Sequence, residues 1–336
     1  MTVRPKPRVL ITLGDVAGIG PEIVVRAWHD PYLHTLCVPV VVGDVETVRR
    51  TAEHLGVAIQ VTAVGSVPPA DLGADIVPCI QGTDVALHEI VLGRVSPFAG
   101  RAAYDFIVRA VELIQGGQAQ ALVTLPIHKR ALHLAGISEP GHTEILARLT
   151  GCHRYAMMLY YQRLGITHVT LHMALRDALQ ALSIDSIVEK AELSATCLAQ
   201  LLDKAVPELA VCALNPHAGE EGLFGDEEAR YIRPAVELAQ RRGLAISGPW
   251  PADTLFYRAF AGAYDGVIAM YHDQGHIPMK LRAGYRAVNI TLGLPLIRTS
   301  VAHGTAYDVA GQGVADPMGF VHAVEVAARL ASAQAG

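Results

Sequence analysis

The chain is poor in aromatic and in charged residues: Phe, Trp and Tyr make up 6% of it, and Asp, Glu, Lys and Arg 18%. Beside 51% hydrophobic residues, so little charge excludes a disordered chain, which is one that cannot bury enough apolar surface to offset its entropy. There is no Lys/Arg block and no platform of interleaved aromatics. With a net charge of −5, the electrostatic footprint of a nucleic-acid binder is absent. No uninterrupted apolar run reaches the length of a membrane span, so no membrane partner is expected. The five cysteines (Cys37, Cys79, Cys152, Cys197 and Cys212) are odd in number and scattered, with no C-x-x-C pair. That excludes a disulfide framework and a zinc ribbon, and suits reduced thiols in a cytoplasm. Arg4, Lys6 and Arg8 precede an apolar run, but the run breaks at Asp15 and reads as a first strand rather than a signal peptide. No internal repeat and no low-complexity segment is visible.

What is present is Ala, Val and Leu in short runs over 336 residues, enough for two α/β domains or one large one. The pattern predicts strands over 8–13, 38–42, 119–125, 155–161, 165–171, 209–214, 266–271 and 286–292, with a short one before Pro249. It predicts helices over 46–55, 103–114, 128–135, 141–150, 187–205, 227–241, 253–261 and 318–333. The stretch from 56 to 100 is weakly patterned, and 298–306 reads as a polar loop. Strands alternating with helices predict open, largely parallel sheets, whose ligands bind where the strands stop at their C-terminal ends.

Three histidines stand at such ends. His172 closes one predicted strand, His217 follows another across Asn215-Pro216, and His272 ends Gly266-Val-Ile-Ala-Met-Tyr271. Three imidazoles from three strand ends make a candidate divalent-metal site. With fifteen histidines in the chain the coincidence also arises by chance, and strand alternation makes His168 a rival ligand. His142 and Thr143 open a helix, where free N–H groups and the dipole favour a phosphate or carboxylate. Thr143 as a plain cap and His142 as a solvated loop residue explain the same letters. Lys280 and Arg298 read singly as surface cations, and with His142 as a phosphate clamp. Gly14-Asp-Val-Ala-Gly-Ile-Gly-Pro-Glu22 is a strand-to-helix loop, but it is neither G-x-G-x-x-G nor a P-loop.

Taken together the segments resemble the 4-hydroxythreonine-4-phosphate dehydrogenases over nearly the whole chain. The likeness is carried by Leu13-Gly-Asp-Val-Ala-Gly-Ile-Gly-Pro-Glu22, Gly141-His-Thr-Glu144, Asn215-Pro-His-Ala-Gly-Glu220, Tyr271-His-Asp-Gln-Gly275 and Asn289-Ile-Thr-Leu-Gly-Leu-Pro295. The resemblance implies two α/β domains around a cleft, as in isocitrate and isopropylmalate dehydrogenases, and a homodimer with shared active sites. The expected division is 1–128 with 291–336 as the nucleotide side, and 129–290 carrying metal, substrate and dimer contacts. It implies metal ligands at His172, His217 and His272, and substrate contacts at His142, Thr143, Lys280, Asn289 and Arg298. NAD or NADP contacts are implied at His303, Gly304, Thr305 and Asp308, in a segment similar to the adenine loop of the isopropylmalate enzymes. The implied metal is one divalent ion per site: zinc, cobalt, magnesium, manganese or nickel. Lys129, Asp15 and Asp273 are the candidate general bases.

The implied activity is oxidation and decarboxylation of a 4-phosphorylated 3-hydroxy acid. His172-Met-Ala-Leu-Arg-Asp177, Gly222-Leu-Phe-Gly-Asp226 and Gly275-His-Ile-Pro-Met-Lys280 look more like the branch acting on 4-phospho-D-threonate and 4-phospho-D-erythronate. The alternatives are 4-hydroxy-L-threonine 4-phosphate itself, in vitamin B6 synthesis, and a dihydrodiol carboxylate. Val16, Leu125 and Ala302 depart from the family habit of proline, a small residue and an acidic residue. Two other classes fit parts of the pattern: a metal hydrolase using the histidines alone, and a phosphosugar-binding protein using the clamp alone.

Overall fold

The computed structural model describes residues 5–334; Arg4, in the basic start of the chain, lies outside them. The strands in chain order are β1 (Arg8–Thr12), β2 (Val38–Gly43), β3 (Gln60–Ala63), β4 (Ile76–Gln81), β5 (Ala121–Thr124) and β6 (Ala156–Tyr161). They continue with β7 (Leu164–His168), β8 (Leu209–Cys212), β9 (Ile246–Trp250), β10 (Gly266–Ala269), β11 (Val288–Leu292) and β12 (Ile297–Val301). The chain divides into two units, 1–153 with 294–336 and 154–293. Residues 129–153 group with the first unit, past the expected boundary at 128, because helices Lys129–Leu134 and His142–Thr150 pack on helix Pro97–Gln115. The return crossing falls after Gly293 rather than after residue 290.

In the first unit six strands pair in the order β3-β4-β2-β1-β5-β12, all parallel. A parallel sheet is covered on both faces, and β2 (Val-Pro-Val-Val-Val-Gly) is buried throughout, which is why it reads as a continuous apolar run instead of alternating. On one face Leu10, Val40, Val42 and Leu122 meet Ile107 and Val111 of helix Pro97–Gln115 and Ile145 and Leu146 of helix His142–Thr150. Helix Met318–Gln334 packs on β12 and β5, and Thr299 Oγ1 donates to the Ala323 carbonyl at 2.8 Å. Alternation along β12 therefore turns Arg298 and Ser300 away from that helix.

Strands β3, β4 and β12 and helix Pro97–Gln115 differ from expectation. The weakly patterned stretch holds β3 and β4, short strands with little periodicity to signal them. The expected polar loop at 298–306 is, in its first part, strand β12, with Arg298, Thr299 and Ser300 all buried. Helix Pro97–Gln115 starts well before residue 103, with proline in its first turn.

In the second unit the order is β11-β6-β7-β10-β8-β9. β6 pairs antiparallel with both neighbours, so the other five strands point the same way. Helix Ile184–Leu202, opened by a Ser183/Ser186 capping box, covers one face. Its Leu198 sits over Gly266, where a side chain would come within 2.6 Å of Leu198 Cδ1, so the glycine admits the helix. Helix His272–Ala283, unforeseen because it contains Pro278 and its apolar residues are spread around it, packs on β6, β7 and β10. β7 stops at His168 rather than at residue 171, so His172 belongs to the bend beyond the strand, not to its face.

Candidate functional site

Within the first unit, the C-terminal ends of β1, β5 and β12 carry the loops that begin at Leu13, Leu125 and Ala302. At the end of β5, Thr124 Oγ1 accepts hydrogen bonds from Arg298 Nε (3.1 Å) and Nη2 (2.7 Å). Arg298 is 2% exposed, and burial lowers its guanidinium to about 9 while the Glu144 carboxylate opposes the shift, so it stays a cation at neutral pH. It is no surface cation. His142 heads helix His142–Thr150, and its Nε2 is buried without a hydrogen-bond partner. Burial first, then the Arg298 charge, pushes His142 well below the usual imidazole value, so it is neutral. A buried cation, an imidazole with an unmatched nitrogen and a helix N-terminus make a receptor for an anion. Thr143 occupies the same first turn and is half-buried.

The glycine-rich loop after β1 is tied to the segment after β12. Asp15 accepts from the Tyr307 hydroxyl at 2.7 Å and from the Ala17 N–H at 2.9 Å, and Ile19 N–H donates to the Thr305 carbonyl at 3.1 Å. Burial raises the Asp15 pKa, with the Tyr307 bond opposing it. Tyr307 stacks on His128 at 4.9 Å. Gly18 has to be glycine, since a Cβ there would lie 2.7 Å from the Thr305 carbonyl oxygen. Glu22, in the first turn of helix Gly20–Ala27, accepts from the Gly311 and Ala315 N–H groups and holds the far end of the segment. His303 is half-buried, with its pKa lowered by burial, and Gly304 and Asp308 are exposed, so the stapled segment still presents them outward. A cavity of about 230 Å³ lies behind the loop, lined among others by Val16, Gly18, Arg50, His54, Leu92 and Gly311. Lys129 is exposed in the first turn of its helix. Leu125 is fully buried beside Gly20, and its size is taken up by the loop's own packing.

In the second unit the rings of His172 and His272 lie 5.7 Å apart, beside a recess of about 510 Å³ lined also by Leu171, Met173, Tyr271 and Asp273. His272 Nδ1–H donates to the Asp273 carboxylate at 2.7 Å, which leaves the Nε2 lone pair free for a ligand. Asp273 is thereby engaged in orienting His272. His217 is not brought into the same group: its side chain is 71% exposed and its nearest carboxylate is Glu220, at 3.8 Å. Among the described residues no three side chains are preassembled for a metal ion. The physical reason is backbone: residues 217 to 221 all have positive φ, from 41° to 80°, and this left-handed turn carries His217 outward. The turn is anchored behind by buried Glu228, which accepts from the Leu214 and Asn215 N–H groups at 2.8 and 2.7 Å. The donor chemistry nevertheless suits a divalent ion, because the three imidazoles follow three strands of one direction and one is already held by a carboxylate.

Lys280, in the last turn of helix His272–Ala283, is exposed. Asn289 on β11 is half-buried, with Oδ1 lacking a hydrogen-bond partner. The five expected substrate residues are thus divided: His142, Thr143 and Arg298 in the first unit, Lys280 and Asn289 in the second. Sequence reasoning missed Thr124, Tyr307 and Glu228, whose roles are hydrogen bonds across long sequence separations. It also missed His276, whose ring stacks on His272 at 3.7 Å and 10° and whose Nδ1 lies 3.1 Å from Nε2 of buried His168. Burial, with the neighbouring imidazoles assisting, lowers His168 to about 3 and His276 to about 4, so both are neutral. The i,i+4 spacing of His272 and His276 was the available signal, legible only once that segment is known to be helical.

Comparison with known proteins places this chain beside one set of enzymes. Residues 35–327 match the family described as Pyridoxal phosphate biosynthetic protein PdxA. The chain is 43% identical over 98% of both sequences to 4-hydroxythreonine-4-phosphate dehydrogenase of Trichlorobacter lovleyi. It is 44% identical to D-threonate 4-phosphate dehydrogenase of Salmonella typhimurium, over 96% of this chain and 98% of that one. Among solved structures it resembles 4-hydroxythreonine-4-phosphate dehydrogenase from Klebsiella pneumoniae, with TM-score 0.89 and 40% identity over 97% and 98% of the two chains. A more distant likeness, with TM-score 0.66 and 30% identity over 95% and 98%, is to a terephthalate 1,2-cis-dihydrodiol dehydrogenase from Burkholderia xenovorans.

Proposed function

Because the chain belongs to the PdxA family and is an oxidoreductase acting on CH–OH, we propose that it oxidises and decarboxylates 4-phospho-D-threonate or 4-phospho-D-erythronate. NAD or NADP is the oxidant, and the protein acts in the cytoplasm as a homodimer. The observation that carries the reading is the pair formed by buried Arg298 and neutral His142, whose unmatched Nε2 lies in its field: a phosphate meets both needs. The second reading, 4-hydroxy-L-threonine 4-phosphate, shares that phosphate and is supported by relatives bearing both names. What favours the threonate is His276, from the segment resembling that branch, lying against candidate metal ligand His272.

A bound nicotinamide would supply the acceptor for the C3 hydride, and a divalent ion a Lewis acid for the developing negative oxygen. His172, His217 and His272 would hold the ion, with Asp273 keeping His272 in its ligand tautomer. Arg298, Thr143 and the helix N-terminus bind the phosphate and so fix the carbon chain; Lys280 and the unmatched Asn289 Oδ1 orient its polar groups. His303, Gly304, Thr305 and Asp308 would hold the nucleotide, on a segment that Asp15 and Tyr307 keep in place. The base candidates remain Lys129, Asp15 and Asp273: the two carboxylates already accept hydrogen bonds, and Lys129 stands exposed in the first turn of its helix.

Appearance of reduced nicotinamide on presenting 4-phospho-D-threonate and 4-hydroxythreonine-4-phosphate in parallel, with a divalent metal present, tests the reading. A preference for the threonate, with at least about a hundredfold loss in Arg298→Ala and in His217→Ala, is expected. Preference for the amino acid would move the assignment to vitamin B6 synthesis. Silence with both would turn it to dihydrodiols.

A further inference from the structure

His276 and His168 have no place in the ligand set above, yet both rings lie beside His272. We infer that the His168–His276 pair is a positioning device that fixes the plane of the His272 imidazole for metal binding; the inference rests on the metal reading just given. The two rings of His272 and His276 stack at 3.7 Å and 10° from coplanar, so His272 cannot turn about its side-chain bonds without displacing its neighbour.

His276 is itself tied. Its Nδ1 lies 3.1 Å from the His272 carbonyl oxygen and 3.1 Å from His168 Nε2. A carbonyl only accepts, so His276 Nδ1 carries the proton and His168 Nε2 accepts as well. His168 is 1% exposed at the end of β7, inside the packed sheet. Residue 275 is glycine because a side chain there would run into His168 Nε2 and Ile166 Cγ2. The order of constraint thus runs from the sheet to His168, from His168 to His276, and from His276 to His272, while Asp273 holds the other edge of the same ring. A flat face and one bonded edge leave a ligand ring little freedom to lose on binding, which is how such supports raise affinity.

Cobalt(II) alone, titrated into the full-length protein and followed by its visible ligand-field absorption, tests the assignment without turnover. His276→Leu and His168→Leu are each expected to weaken cobalt binding by about 10- to 100-fold and to shift the absorption bands, with His272→Ala abolishing the site. His276→Asn, which keeps a donor for the His272 carbonyl but has no ring to stack, serves if the leucine variant fails to fold. It is expected to weaken binding by at least about tenfold. Unchanged affinity and spectrum in folded His276 and His168 variants would overturn the inference while leaving the metal site standing. Loss in His276→Leu as complete as in His272→Ala would make His276 a ligand and also overturn it. Failure of the unaltered protein to bind cobalt, or binding that survives His172→Ala, His217→Ala and His272→Ala, would remove the metal reading itself.

Discussion

Asp15 shows how a residue's surroundings decide its chemistry. Its carboxyl is buried, which raises its pKa, while Tyr307 and the Ala17 N–H partly offset the cost of the charge. A raised carboxyl contributes stability below its ordinary value, and that contribution is lost as pH rises through the folded value. Asp15→Asn keeps one acceptor oxygen for the Ala17 N–H, turns the group facing the Tyr307 hydroxyl into a donor to it, and removes the titration. The variant is therefore expected to match the parent in strong acid and to exceed it in urea midpoint at neutral pH. A parent protein that gains stability over the variant as pH rises would contradict the burial argument. Arg298 illustrates the converse: the letter reads as a surface cation, and only the strand alternation that sends Thr299 toward helix Met318–Gln334 turns the guanidinium inward to Thr124.

At the scale of elements, the turn Pro216–Gly222 is the strained part of the candidate site. Non-glycine residues in the left-handed region cost about 1–2 kcal/mol each, and His217, Ala218, Glu220 and Glu221 are all there. Glu228 and Asn215 hold its entry, and Gly219 fits because a Cβ there would meet Glu228 Oε2 at 2.9 Å at φ +80°. Gly219→Ala is expected to lower stability by about 1–2 kcal/mol, seen as a lower urea midpoint with an unchanged slope. Glu220→Gly, at φ 41°, relieves strain and is expected to do no harm. Equal midpoints for parent and Gly219→Ala would mean that the Glu228 clamp is not set as described.

At the scale of the whole molecule, the proposal of a homodimer rests on one feature of the second unit. Ile277, Leu281 and Tyr285 recur at four-residue spacing along and just past helix His272–Ala283, and are 56%, 84% and 68% exposed. Covering such side chains stabilises an interface by roughly 1.5–3 kcal/mol apiece. Leu281→Glu is expected to shift the protein from dimer to monomer in sedimentation velocity. A parent protein that is monomeric, or a variant that remains fully dimeric, counts against this face. All five cysteines are free thiols; four are buried, Cys79, Cys197 and Cys212 within strands or helices and Cys37 just before β2.

The sequence by itself determined the α/β class, the strand-then-helix order and the strand ends that carry His217 and His272, because apolar period and Gly/Pro punctuation are local properties. It determined the family as well, through short segments that survive without reference to their neighbours. It did not reveal β3, β4 or β12, whose periodicity is too short or too polar, nor the helix that interior Pro278 disfavours, whose start at His272 creates the stack with His276. Tertiary structure alone decided which polar side chains are buried and which are paired. Arg298 meets Thr124 and Tyr307 meets Asp15 across 174 and 292 residues, contacts that depend on parallel pairing and not on any local pattern. It also decided that His217 stands apart from His172 and His272, because a left-handed turn is a balance of strain against the Glu228 clamp that neither segment contains alone.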